Sequence, residues 1–358
     1  MLSAALVRGQ IYIPRYWVRG RSPVMRVAII GAGLQARRRA PAVAKAGDEV
    51  VAVCAAHEET AKKLAAQFGC QHDTDWRRTV SRNDVEGVVI CTPPGNHKDA
   101  SIAAAEEGKH VLCEKPLART SEEARGMMAA AKRANTLLKC GFNIRYHPAI
   151  AEVRRLVDVG ALGDLFYAKA TFGIGARPGY EREWRVNPAF ASGGQFMEQG
   201  IHLVDLSRWF LGDFAEAIAT ASNFFVKTRP FEDNAFVTLR TAEGKVASLH
   251  ASLTQWKNKF SFELTGSEGY AVVTGMGGSY GVETLAVGKN LPGKPFSESV
   301  TEFRGEDRCW DEEWKDFRAA VDDPSRFQFG LDGVRALEAV EAAYESAKSG
   351  STAKVRTR

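Results

Sequence analysis

The sequence predicts an α/β protein: an N-terminal Rossmann-type doubly wound parallel sheet, then an α+β domain on an open, mostly antiparallel sheet. Three observations carry that expectation. From Met25 onward, short apolar runs alternate with helical stretches of about 10–15 residues, the pattern of a parallel sheet covered on both faces. The first of those runs, MRVAII, passes directly into the glycine turn GAGLQA. After Asn143 the alternation stops, and strands with period-two polarity take over.

The elements follow in order. A helix after the glycine turn runs to about Ala46, and EVVAVC is the second strand. Glu58 to Phe68 is helical, and VEGVVICT is a further strand, ended by Pro93 and Pro94. Helix 97–107, strand KHVLCE, helix 121–134 and strand TLLKCGF complete the first domain. Beyond it come helices at 148–159 and 194–211, then strands FYAKATFGI, EAIATASNFF, NAFVTLRT, KVASLHASLTQW, KFSFELTG and GYAVVTG. Helices 311–321 and 330–348 close the chain. The Gly- and Pro-rich stretch from TGMGGSYG through GKNLPGKP reads as the flexible loop. The expected domains are 25–145 for dinucleotide binding and 146–350 for substrate, with 1–24 an extension outside the fold.

Bulk composition narrows the function. A chain of 358 residues with 45% hydrophobic content is long enough for two domains. The formal charge of +5 is too diffuse for a nucleic-acid partner. No apolar run approaches the ~20 residues that span a bilayer, so a cytoplasmic protein without membrane contact is expected. The cysteines, at 54, 70, 91, 113, 140 and 309, contain no C-x-x-C pair and mostly sit in strand-like runs. They read as reduced thiols, and no metal site is expected.

Parallel sheets bind ligands at the carboxyl ends of their strands. GAGLQA fits the dinucleotide fingerprint, with Gly31 making the tight turn, Gly33 admitting a pyrophosphate, and Leu34 and Gln35 leading into the helix. About 20 residues on, folds that prefer NAD place a carboxylate on the ribose 2′-hydroxyl. Here Ala55 and Ala56 occupy that place, while Arg37, Arg38, His57 and Lys62 supply positive charge nearby. NADP is therefore expected over NAD. The turn CTPPGNH presents Thr92, Pro93, Asn96 and His97 at the same rim, and CEKP presents Glu114 and Lys115. A lysine beside a nicotinamide is suited to donate to a substrate oxygen. In SGGQFMEQGIHLVDLSRWFLG, Glu198, His202 and Asp205 are spaced i, i+4, i+7 and share one helix face. Such a set suits a proton relay in which a carboxylate orients the imidazole.

Taken together, GAGLQA, VVICTPPGNH, GKHVLCEKPLA, CGFNIRYHPA and GGQFMEQGIHLVDLSRWFLG resemble the Gfo/Idh/MocA family, the glucose–fructose oxidoreductase and inositol dehydrogenase group. The resemblance implies NAD(P)-dependent oxidation or reduction of a sugar, polyol or related carbonyl. It implies a homo-oligomer, a dimer or tetramer, assembled through the open sheet. It places the family's catalytic lysine on Lys115, its helix histidine on His202 and its acidic partner on Glu198, where Asp is frequent. It makes Glu114–Lys115–Pro116 a cofactor-contacting turn, and Arg145, Trp184, Arg185 and Asp205 residues of the substrate side. A glycoside hydrolase with tightly held NAD and a non-catalytic NADP-binding protein are the alternatives on the same scaffold.

Overall fold

The computed structural model describes residues 23–289, 293 and 297–357. Residues 1–22 of the expected extension, and 290–292 and 294–296 of the expected flexible loop, lie outside the described residues.

Strands β1 (Arg26–Ile30), β2 (Glu49–Cys54), β3 (Gln71–Asp73), β4 (Gly87–Ile90), β5 (His110–Glu114) and β6 (Leu138–Gly141) form a parallel sheet in the order β3-β2-β1-β4-β5-β6. Helices α1 (Ala36–Lys45), α2 (Glu58–Ala65), α3 (Trp76–Val80), α4 (His97–Glu106) and α5 (Ser121–Ala134) connect them. All four residues of β4 are buried, because helices cover both faces. The strand order reverses between β1 and β4, so their carboxyl ends flank the crevice where such sheets bind ligands. The short β3 and α3 escape periodicity, since QHD carries no apolar alternation.

The second sheet holds β7 (Leu165–Gly175), β8 (Phe214–Ser222), β9 (Asn234–Thr241), β10 (Val246–Ser252), β11 (Thr254–Gly266), β12 (Gly269–Thr274), β13 (Glu283–Lys289), β14 (Glu298–Phe303) and β15 (Ala353–Lys354). Its order is β14-β13-β12-β11-β7-β10-β9-β8-β15, antiparallel except for the β7–β10 pair. Helices α6 (Pro148–Asp158), α7 (Ile201–Leu211) and α9 (Leu331–Ser349) accompany it. Val340 of α9, Phe262 of β11 and Ile30 of β1 belong to one continuous apolar core that joins the two sheets.

Three expectations change. ETLAVGK lies inside the stretch read as a flexible loop, yet it is β13, paired along its length with β12. Its Ala and Gly blunt the alternation that would reveal a strand. The helix expected over 194–211 opens with a π turn, Phe196–Gly200, before α7. There the Phe196 ring lies where a side chain on Gly200 would stand. Helix α8 (Cys309–Asp322), assigned by sequence to the second domain, packs on the first: Trp314 and Phe317 share a core with Val27, Ile29 and Val43.

Candidate active site

At the β1 end, Gly31 adopts φ +99°, and a Cβ there would stand 2.7 Å from the carbonyl carbon of Cys91. Only glycine lets β1 and β4 approach this closely in that conformation. Gly33 is exposed, with nothing within 4 Å of the place its Cβ would take. Helix α1 starts without a side-chain cap and without an acidic residue in its first turn, so its N–H groups remain available to an anion. The buried Oε1 of Gln35 and Oγ1 of Thr92 have no hydrogen-bond partner among the described residues. These are groups that a bound dinucleotide satisfies, and the residues therefore fit such a cofactor. Leu34 and Asn96 are exposed at this rim, and Ala55 and Pro93 are half-buried.

The arginine run divides by burial. Arg37 and Arg38 are exposed, and the Arg38 guanidinium lies 5.5 Å from the Trp310 ring centre. Arg39 is buried between two carboxylates, with Nε 2.6 Å from Glu114 and Nη1 2.7 Å from Glu313 of α8. Glu114, in the turn expected to contact the cofactor, therefore has its carboxylate engaged behind the rim. It is turned inward to Arg39, because a buried carboxylate needs a cation. His97 is also corrected: it is fully buried, and its ring nitrogens contact the carbonyls of Pro116 (2.9 Å) and Thr92 (2.8 Å). It ties the two rim turns together from behind.

Lys115 follows β5 at the rim, where the Lys115–Pro116 peptide is cis. Its ammonium donates to the carbonyl oxygen of Glu198 and stands 3.9 Å from that residue's carboxylate. Arg185 approaches the same carboxylate at 3.4 Å. His202 is buried one turn further on, with Phe142 and Phe172 rings against it. Burial, and then the positive charge of Lys115, hold its imidazole well below the usual histidine range. It is thus a neutral ring at neutral pH. Its Nδ1 has no partner among the described residues, and Glu198 and Asp205 are engaged elsewhere rather than in the relay that the i, i+4, i+7 spacing suggested. The intervening π turn sends Glu198 toward Lys115 and Arg185, and Asp205 is bound by Arg145 (Nε–Oδ2 2.7 Å).

Arg145 is likewise committed. A further N–H, on Nη1, reaches Asp332 at 2.9 Å, so its guanidinium braces α7 against α9 at the wall of the cleft. Trp184 is half-buried and stacks under the Arg185 guanidinium at 4.5 Å. Arg185, Lys115, Glu198 and His202 all line one cleft of about 2660 Å³ between the two sheets. That volume exceeds the roughly 300–1,000 Å³ of a pocket for one small ligand.

Several contributors were not singled out by the sequence reading. Gln195 and Gln199 line the same cleft, with Gln195 Nε2 and Gln199 Oε1 buried and unpaired. Glu232 accepts from the backbone N–H groups of Phe196 (2.9 Å) and Gly194 (3.2 Å) and from Tyr344 (2.9 Å), capping the π turn. A Cβ on Gly194 would collide with Glu232, which explains the glycine at that site. Glu232 and Glu313 come from far along the chain; Gln195 and Gln199 lie inside the SGGQFMEQG motif, and Arg39 closes a three-arginine run beside the glycine turn.

Comparisons with known proteins bear on the family and the fold. Residues 25–142 match the oxidoreductase family model with an NAD-binding Rossmann fold, and residues 150–272 match the Gfo/Idh/MocA C-terminal domain. The chain is 31% identical to levoglucosan dehydrogenase of Pseudarthrobacter phenanthrenivorans over 62% of its own length and 63% of that protein's, just under two thirds. It is 30% identical to 1,5-anhydro-D-fructose reductase of Ensifer adhaerens over 71% of this chain and 74% of that one. The structure of a levoglucosan dehydrogenase with NADH and levoglucosan superposes with a TM-score of 0.83 at 27% identity, covering 93% of this chain and 100% of that one. The chain belongs to the Gfo/Idh/MocA family of NAD(P)-dependent oxidoreductases.

Proposed function

We propose that this protein is a dehydrogenase or reductase of a sugar or polyol, with Lys115 as its proton-transferring group. The observation that carries the reading is the convergence of Lys115, Glu198 and His202 in the cleft, beside the β1–β4 crevice. When bound, a nicotinamide exchanges hydride with the carbinol carbon. In the reductive direction the Lys115 ammonium gives its proton to the carbonyl oxygen and is left as the amine. In the oxidative direction the amine takes the hydroxyl proton. Neutral His202 hydrogen-bonds the same oxygen and holds the hydroxyl in line, a role that suits an imidazole kept unprotonated. Glu198 and Arg185 hold the lysine and rim in place. Gln195 Nε2 and Gln199 Oε1 offer one donor and one acceptor to further hydroxyls, as a polyhydroxylated substrate requires.

The finer cofactor reading favours NADP. Ala55 and Ala56 leave the end of β2 without the carboxylate that selects a free 2′-hydroxyl, and Arg37 and Arg38 are exposed close by. The open face of the second sheet bears exposed Phe166, Ile218 and Phe236, and copies of the chain pair through it. Static light scattering that returns a monomer mass would reject that pairing.

The decisive test is Lys115→Ala. Turnover should fall by about 10²–10⁴-fold, with dinucleotide affinity held within a few-fold. Unchanged turnover on a sugar and polyol panel rejects Lys115. Calorimetric titration with NADH and NADPH tests the second part, and tighter binding of NADH overturns the NADP preference.

A further inference from the structure

A second group of ligand-type side chains stands where the two domains meet. His147 immediately precedes α6, Asp307 lies just before α8, and Cys309 opens α8. One potential ligand atom from each lies within 4.8 Å of the other two. His147 and Asp307 line the cleft, and Cys309 is fully buried behind them.

Each of the three is held from behind. Glu283 of β13 accepts from Nδ1 of His147 at 3.0 Å and, with its other oxygen, from the Ala149 N–H at 2.7 Å. A carboxylate in that position fixes the tautomer and leaves the Nε2 lone pair for a ligand, the arrangement that supports metal-binding histidines. Asn143 donates to the Cys309 sulfur at 3.3 Å, a contact that stabilises a thiolate. Asp307 accepts from the Cys309 N–H at 3.0 Å through Oδ1, and its carboxylate also meets the Cys309 thiol. A helix cap beside a buried thiol accounts for Asp307 and Cys309 alone. It does not account for a buried imidazole, backed by its own carboxylate, meeting them.

We propose that His147, Asp307 and Cys309 bind one zinc-class divalent cation, with a fourth position open to the cleft. One sulfur, one nitrogen and one oxygen donor select a borderline-soft ion over magnesium or calcium. Bonds of about 2.0–2.3 Å around a tetrahedral ion bring ligands to roughly 3.5 Å from one another, and the exposed Asp307 side chain has the freedom to close that gap. The ion would join α8, which packs on the first sheet, to α6 and β13 of the second. It would therefore brace the two walls of the cleft. No short-range spacing betrays the site, because the ligands come from positions 147, 307 and 309.

The test uses the full chain, stripped with a chelator and titrated with Co²⁺. We expect one equivalent bound, with a thiolate-to-cobalt charge-transfer band in the near ultraviolet that Zn²⁺ abolishes by displacement. Cys309→Ser should lose the band, and retained dinucleotide binding would show that the variant is folded. Asp307→Asn keeps an oxygen to cap α8 and should weaken Co²⁺ binding by at least about tenfold, the loss expected for one ligand. Absence of a band at one equivalent overturns the proposal. So does a band that persists in Cys309→Ser, or an unchanged affinity in Asp307→Asn.

Discussion

Replacing Arg39 by Met removes the cation that, among the described residues, forms the ion pairs of two buried carboxylates. The guanidinium contacts Glu114 at 2.6 Å and Glu313 at 2.7 Å, and the three side chains are 2%, 6% and 0% exposed. At about 3 Å and an effective dielectric near 20, each contact corresponds to roughly 5 kcal/mol of Coulomb attraction. Desolvation of the arginine offsets much of that sum, so the net loss on breaking the cluster should be about 3–5 kcal/mol. Urea unfolding followed by tryptophan fluorescence reads it directly, because the Arg39 guanidinium lies 4.9 Å from the Trp310 ring centre. The triple variant Arg39→Met/Glu114→Gln/Glu313→Gln should recover most of the loss, since it leaves no unpaired charge. The sign of the pH dependence is also set. Burial holds Glu313 above the usual carboxylate range, against the downward pull of Arg39. A carboxyl raised in this way binds its proton more tightly when folded, so protonation favours the fold. Without Arg39 it rises further. The deficit of Arg39→Met should be full at neutral pH and shrink as pH falls through the raised value of Glu313. A loss below about 1 kcal/mol, or an equal loss in the triple variant, would refute the claim that Arg39 acts by neutralising these groups.

Other outcomes follow from single positions. Gly33→Ala should leave thermal stability unchanged, because nothing lies within 4 Å of the new Cβ, yet weaken dinucleotide binding in calorimetry. Gly31→Ala should lower stability as well, from the 2.7 Å contact with Cys91 at φ +99°. His202→Asn should lower kcat by the same factor from about pH 6 to about pH 8, since an imidazole held well below its usual range does not titrate there; a ratio that changes across that interval would show a protonating His202. Glu232→Gln should cost about 1–3 kcal/mol by urea unfolding, as buried N–H groups of Gly194 and Phe196 lose a charged acceptor.

Much of the architecture is written locally. Gly31 and Gly33 after MRVAII announce a dinucleotide turn because backbone conformation and helix start are properties of a few adjacent residues. Lys115 is placed at the rim by the end of its own strand, and β9, NAFVTLRT, alternates buried and exposed residues from Ala235 to Thr241. β13 is not legible in this way, because its identity comes from pairing with β12 rather than from its own side chains.

The sequence by itself determined the two kinds of sheet, the glycine turn and the candidacy of Lys115 and His202, since hydrophobic period and turn chemistry act over short distances. Only the tertiary structure decided what those groups are bonded to. It gave Glu114 and Glu313 to Arg39, Asp205 to Arg145, and the two nitrogens of His97 to Thr92 and Pro116. The physical reason is that a buried charge or polar group takes whichever partner the packing brings within about 3 Å, and that partner can lie hundreds of residues away.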